Sequence, residues 1–95
     1  MRVFGGAVIA RFARAHPAAR KPLQRFMTIA GSAVWPHFPG VKETFPATDY
    51  APATGTLIFN LGGNKYRLIA RVDFEEQLLA IETVLTHREY DRKEF

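Results

Sequence analysis

Ninety-five residues, 47 % hydrophobic and 23 % charged, are enough for one globular domain, 1–95, with a modest core and no room for a second. The chain has no cysteine, which excludes a disulfide framework, a zinc finger, an iron–sulfur site and a cysteine nucleophile. Thirteen Lys and Arg against nine Asp and Glu give a net charge of +4, and the imbalance is local: Arg2, Arg11, Arg14, Arg20, Lys21, Arg25 and Lys42 all precede the first acid, Glu43. That asymmetry points to an anionic partner, nucleic acid or an acidic protein, or else to a solvated basic helix face; charge alone leaves these open. No apolar run nears the roughly 20 residues of a membrane span, and the N-terminus lacks a signal peptide's layout. The chain is therefore expected in the cytoplasm, neither secreted nor at a membrane.

Met1 to Phe4 is too short to read by period and is compatible with a brief edge strand. After Gly5-Gly6, the segment AVIARFARA places Val8, Ile9, Phe12 and Ala15 on one helical face, and His16-Pro17 ends that helix. A second helix should start near Arg20 to Pro22, since proline is tolerated in a first turn. Its stripe is Leu23, Phe26, Met27 and Ala30. Trp35, Phe38 and Phe45 follow through a Pro-rich bend as core plugs, with one helical turn over Gly40 to Phe45. Pro46 to Gly55 is the longest stretch that reads as unstructured.

The period then changes to two. TLIFNL, NKYRLIARVDF and LLAIETVL read as three strands. Gly62-Gly63 reads as a two-residue hairpin loop, which would set Asn60 opposite Lys65, Phe59 opposite Tyr66 and Ile58 opposite Arg67. The expected fold is α+β, with N-terminal helices packed on one face of a three-stranded antiparallel meander.

Alternation along the central strand turns Tyr66, Leu68, Ala70, Val72 and Phe74 toward the helices. Lys65, Arg67, Ile69, Arg71 and Asp73 take the other face. Its cations Lys65, Arg67 and Arg71 form a row suited to phosphates, unless Glu82 on the next strand pairs with Arg67 or Arg71. An antiparallel meander brings the end of its third strand beside the start of its second, so His87 and Tyr90 should lie near Lys65 and Arg67. RNA cleavage by 2′-OH attack needs a base, a cation for the phosphorane and an acid for the leaving oxygen, and these side chains contain such a set without a metal or other cofactor. A plain binding face would use the same cations. His16 and His37 have no nameable partner and read as surface residues.

Two runs, FNLGGNKYRLIARV (Phe59 to Val72) and THREYD (Thr86 to Asp91), resemble the HigB-type toxins of bacterial toxin–antitoxin pairs. Weaker resemblance covers VKETFP and AHPAARKPL, so nearly the whole chain takes part. The resemblance implies a RelE/ParE-like fold and a metal-free endoribonuclease that cuts translated mRNA on the ribosome, leaving a 2′,3′-cyclic phosphate. It also implies a cognate HigA-like helix-turn-helix antitoxin as partner. Asn60, Asn64, Lys65 and Arg67 match the first motif, and His87, Tyr90 and Asp91 the second. On that basis Lys65, Arg67, His87 and Tyr90 are the expected catalytic group, and Asn60, Asn64, Arg71 and Arg88 the expected RNA-binding group. Glu82 departs from the family pattern, which commonly has a basic residue there.

Two other classes remain open. A ParE-like toxin shares the architecture but binds gyrase without catalysis, and it would not need His87 and Tyr90 beside Lys65 and Arg67. A small basic RNA-binding module is disfavoured because Phe59 and Tyr66 face the helices, leaving no stacking platform on the exposed sheet face.

Overall fold

The computed structural model describes residues 1–92; residues 93–95, part of the expected domain, lie outside the described residues. The chain opens with strand β1 (Arg2–Phe4) and helix α1 (Gly6–Ala15), continues through a 3-10 turn (Pro17–Ala19) into α2 (Arg20–Ser32), and then forms α3 (Phe38–Thr44). Strands β2 (Thr48–Ala51), β3 (Thr56–Leu61), β4 (Tyr66–Asp73) and β5 (Leu78–Thr86) follow, and α4 (His87–Asp91) closes the described chain.

The helices form where the apolar spacing demands. Leu23, Phe26 and Ala30 of α2 are fully covered. α1 buries no residue completely, and its Val8, Ile9, Phe12 and Ala13 are half-covered. Gly5 joins β1 to α1 with φ 102, and a Cβ there would stand 2.7 Å from the Ile81 carbonyl oxygen, so only glycine lets α1 start this close to β5. α3 starts two residues earlier than the sequence suggests. His37 caps it, its Nδ1 accepting from the Gly40 amide at 3.4 Å, and Pro39 occupies the first turn, where no N–H is needed.

The sheet has five strands in the order β1-β5-β4-β3-β2, with β1 parallel to β5 and every other pair antiparallel. This corrects the expected three-stranded antiparallel meander, which is the centre of a mixed sheet. The edge strand at the N-terminus exists. β2 lies in the stretch read as unstructured, because TDYA carries no sustained apolar alternation and becomes a strand by pairing with the edge of β3. The glycine hairpin is also longer than two residues. Gly62 and Gly63 both have φ 64, as a primed turn requires, but Asn64 follows with φ 75, and pairing closes only at Leu61 and Tyr66. Asn60 therefore faces Arg67, not Lys65; Phe59 faces Leu68 and Ile58 faces Ile69. The register differs from expectation by two residues, so every side chain keeps its face.

The main core lies between the helices and the sheet. Phe26, Phe45, Phe59 and Trp35 form its aromatic centre, with Phe26 and Phe59 ring centroids 4.8 Å apart. Each fully buried Leu or Phe here contributes about 1.5–3 kcal/mol. Gln77, at φ 54, pins this region: its Nε2 donates to the carbonyls of Trp35 (2.9 Å) and Phe74 (2.8 Å), and its Oε1 accepts from the Trp35 amide at 3.2 Å.

The opposite face is not bare. Ile58, Ile69 and Leu85 make a second small core, with Tyr90 of α4 packed on it. β4 is consequently buried on both faces from Tyr66 to Ala70. A bulge on β5 skips Glu82 between the pairs Ile69–Thr83 and Ala70–Ile81. The bulge re-aims Glu82, whose Oε1 lies 2.7 Å from Arg71 Nε.

Candidate active site

The site gathers around Arg67, and it does so by burying it. Arg67 is only 7 % exposed. Its Nη1 donates to the carbonyls of Asn64 (3.1 Å) and Tyr66 (3.4 Å), and its Nη2 lies 2.8 Å from His87 Nδ1. The guanidinium carbon sits 5.3 Å from the centre of the Tyr90 ring. Carbonyls, an imidazole and an aromatic face hold this cation. Such bonds are what make a buried guanidinium tolerable.

Arginine has donors and no acceptor, so His87 Nδ1 must accept, and the ring proton must sit on Nε2. Nε2 faces Asp91 Oδ2 at 3.2 Å, one turn further along α4. The three residues thus form a directed chain in which Arg67 donates to His87 and His87 donates to Asp91. Protonating Nδ1 would set two N–H groups against each other. The His87 and Asp91 side chains are about half exposed, at 50 % and 59 %, so this chain opens to solvent on the His87 side.

The helix that carries His87, Tyr90 and Asp91 is set by the residue that caps it. Thr86 Oγ1 accepts from the Glu89 amide at 3.2 Å, and Glu89 Oε1 accepts from the Thr86 amide at 3.0 Å, a reciprocal capping box. The His87 amide also donates to the Lys65 carbonyl at 2.8 Å, tying α4 to the hairpin loop. The spacing T-x-x-E in THREYD is the sequence signal for this helix start, and the strand-and-hairpin reading did not use it.

The other expected residues divide. Lys65 is exposed at the loop end, two residues before Arg67 in sequence, and its side chain makes no hydrogen bond or ion pair among the described residues. Asn64 serves the site through its backbone carbonyl, with φ 75 aiming it at Arg67. Asn60 turns to the edge of β2, where its Nδ2 donates to the Ala47 carbonyl at 2.7 Å, and its Oδ1 is buried without a partner. Arg71 is exposed and paired with Glu82, apart from the cluster. Arg88 is exposed on α4. The expected row of three equivalent cations is therefore corrected: Lys65 is exposed, Arg67 is buried and Arg71 is neutralised by Glu82. Asp91, which the sequence offered only as a motif match, is the group that orients His87.

His16 and His37 lie elsewhere; His16 stacks on Phe12 at 4.3 Å. Among the described residues there is no cluster of three or more His, Cys, Asp or Glu that could hold a metal ion, and no helix is long and apolar enough to cross a membrane.

Comparison with known proteins bears on this arrangement. Residues 19–93 match the family described as HigB_toxin, RelE-like toxic component of a toxin-antitoxin system. A stretch of 52 residues is 42 % identical to a protein of Escherichia coli named mRNA interferase toxin HigB, covering 54 % of this chain and 50 % of that protein. A protein of Shigella flexneri named mRNA interferase HigB matches to the same extent. The match thus spans about half the length of these curated relatives.

Proposed function

Because the chain belongs to the HigB toxin family, the RelE-like toxic component of toxin–antitoxin systems, we propose that it is an endoribonuclease that cuts mRNA at the Arg67–His87–Tyr90 cluster. The observation that carries this reading is the directed contact from Arg67 through His87 to Asp91, with the Tyr90 ring against the guanidinium. Asp91 holds the Nε2 proton, which leaves the Nδ1 lone pair as the one basic site on the ring. In the unliganded chain that lone pair accepts a hydrogen bond from Arg67 Nη2. A phosphate bound at the mouth of the site attracts the guanidinium more strongly than a neutral nitrogen does. Nδ1 is then free to accept the 2′-OH proton as the oxygen attacks phosphorus. Arg67, together with Lys65, stabilises the charge that develops on the phosphorane. Tyr90 and Lys65 are the remaining donors for the departing 5′ oxygen. The products are a 2′,3′-cyclic phosphate and a 5′-hydroxyl, and the proton removed from the 2′ oxygen is balanced by the one given to the 5′ oxygen.

The message is cut on the ribosome in this reading, and a helix-turn-helix antitoxin is the cognate partner. The test uses purified chain with a ribosome–mRNA complex. Cleavage should persist in EDTA at a level that leaves the ribosome intact, and the new ends should carry a 2′,3′-cyclic phosphate or its hydrolysis product. Arg67→Ala should abolish cutting, and Arg67→Lys should restore only part, since an ammonium cannot reproduce a forked contact to phosphate. Growth arrest without any shortened transcript, unchanged by Arg67→Ala, would refute the reading and indicate a ParE-like gyrase inhibitor.

A further inference from the structure

The other side of the glycine hairpin holds a cleft of about 360 Å³ that no role described so far uses. Its rim is cationic. Lys21 and Arg25 stand one turn apart on α2, both exposed, and neither enters an ion pair among the described residues. Its floor is aromatic: Phe26 and Phe45 lie 5.4 Å apart, and Phe45 is only partly buried. The facing wall is Asn60 and the Gly62–Gly63 backbone, where no side chain stands in the way. Packing fixes that wall, since a Cβ on Gly62 would lie 2.8 Å from the Tyr66 ring.

We infer that this cleft is a nucleotide subsite for single-stranded RNA, flanking the point of cleavage; the inference rests on the reading of the chain as a ribonuclease. The volume is at the lower end of small-ligand pockets, the scale of one nucleotide. Two cations a helical turn apart suit phosphate oxygens, and a half-covered phenyl ring offers a base a stacking surface. Asn60 stands at the cleft wall with its Nδ2 committed to the Ala47 carbonyl. Continuity selects RNA over an acidic peptide. Asn60 pairs directly with Arg67 across β3 and β4, so the wall of the cleft and the centre of the candidate active site are neighbouring residues in the sheet. Cα atoms of such a pair are about 4.5–5.5 Å apart. A strand crossing the hairpin would meet Lys65 and Arg67 on one side and Arg25 and Lys21 on the other.

The test measures binding of a fluorescein-labelled 2′-fluoro RNA heptamer, which has no 2′ hydroxyl to attack with, by anisotropy across a salt series. The double variant Lys21→Gln/Arg25→Gln should bind about tenfold more weakly, and its salt slope should be shallower by about 1.4, the change for two lost contacts on a single strand. The charge-matched variant Arg11→Gln/Arg14→Gln on α1 should bind within about twofold of the parent, and hexaglutamate should not displace the RNA. Three binding results would overturn the inference: unchanged affinity in the Lys21/Arg25 variant with parental melting, equal losses in both double variants, or tighter binding of hexaglutamate than of RNA. Since the heptamer is never cut, its binding is read apart from cleavage. Groove binding without cyclic-phosphate ends on the ribosome refutes the ribonuclease reading. Cleavage with parental KM in the Lys21/Arg25 variant refutes the subsite.

Discussion

Replacing Arg67 by methionine separates the organising role of its guanidinium from the packing of its stem. Methionine keeps a flexible apolar chain of similar reach and removes every donor. Three hydrogen bonds disappear, to Asn64, Tyr66 and His87, together with the contact to the Tyr90 ring. Hydrogen bonds made by a charged group contribute about 1.5–3 kcal/mol each, but the variant also escapes a desolvation cost of several kcal/mol for a largely buried cation. The net loss expected is about 2–4 kcal/mol, most of it from carbonyls left without donors. For a domain of this size that lowers the melting temperature by about 10–20 °C. Trp35, the single tryptophan, is buried in the core and reports unfolding in urea by its fluorescence. Nitrogen NMR of the ring adds a readout specific to the site. In the parent, His87 should carry its proton on Nε2, and in Arg67→Met the Nδ1 resonance should shift because its hydrogen-bond donor is gone while Asp91 still holds the Nε2 proton. Arg67→Lys should lie between the two in stability. If Arg67→Met melts within about 2 °C of the parent and the His87 Nδ1 resonance does not move, Arg67 does not organise the site and the reasoning fails.

Further expectations follow from the same contacts. His87→Gln should leave melting and RNA association near parental values while slowing cleavage by about 10²–10⁴-fold; equal losses of binding and rate would show that His87 holds RNA instead. Glu82→Gln should release Arg71 and raise RNA affinity a few-fold at low salt, with a stability change under about 1 kcal/mol because the pair is exposed; no change in a filter-binding titration would mean that Arg71 lies off the RNA path. Thr86→Ala removes one half of the capping box and should cost about 1 kcal/mol by urea midpoint, with faster amide exchange at His87 and Glu89. Gln77→Ala should destabilise by about 1–3 kcal/mol, since the Trp35 amide loses its acceptor and two carbonyls lose a donor; a parental midpoint would show that water replaces the side chain.

The parts of the fold that were legible are those governed by local periodicity. The stripe Leu23, Phe26, Met27 and Ala30 and the alternation from Tyr66 to Val72 each depend on a few neighbouring residues, and both stand as expected. The placement of His87 and Tyr90 beside Arg67 was legible from connectivity, because a two-residue register shift alters no face. What the sequence concealed is nonlocal. β2 exists because β3 offers an edge, and β1 because β5 does; neither segment has a pattern of its own. The burial of Arg67 was hidden for a related reason. Alternation assigned it to a face, but only the docking of α4, through Tyr90 on Ile58, Ile69 and Leu85, covers that face. Arg71 could be read only as a free cation or a partner of Glu82, and the bulge that settles the matter is invisible to a period-two reading.

The parallel pairing of β1 with β5 has a kinetic consequence. Val3 pairs with Leu79, so the contact that completes the sheet joins two ends of the described chain with almost everything else between them. Contacts of such separation form late, because the loop-closure entropy is not repaid until the intervening elements have condensed. During synthesis, at about 5–20 residues per second, β1 leaves the ribosome before the other described elements and waits for β5 as an unpaired strand carrying Phe4. α1 can form at once but has only half-covered positions in the finished domain, so on its own it retains little. The hairpin and α4, which hold the Arg67 cluster, are made long after α1. The order of emergence therefore sets a delay between the first helix and the first complete site. Moving Arg2–Phe4 to follow α4 by circular permutation would place β1 after β5 in the order of synthesis, and should shorten the folding phase that closes the sheet.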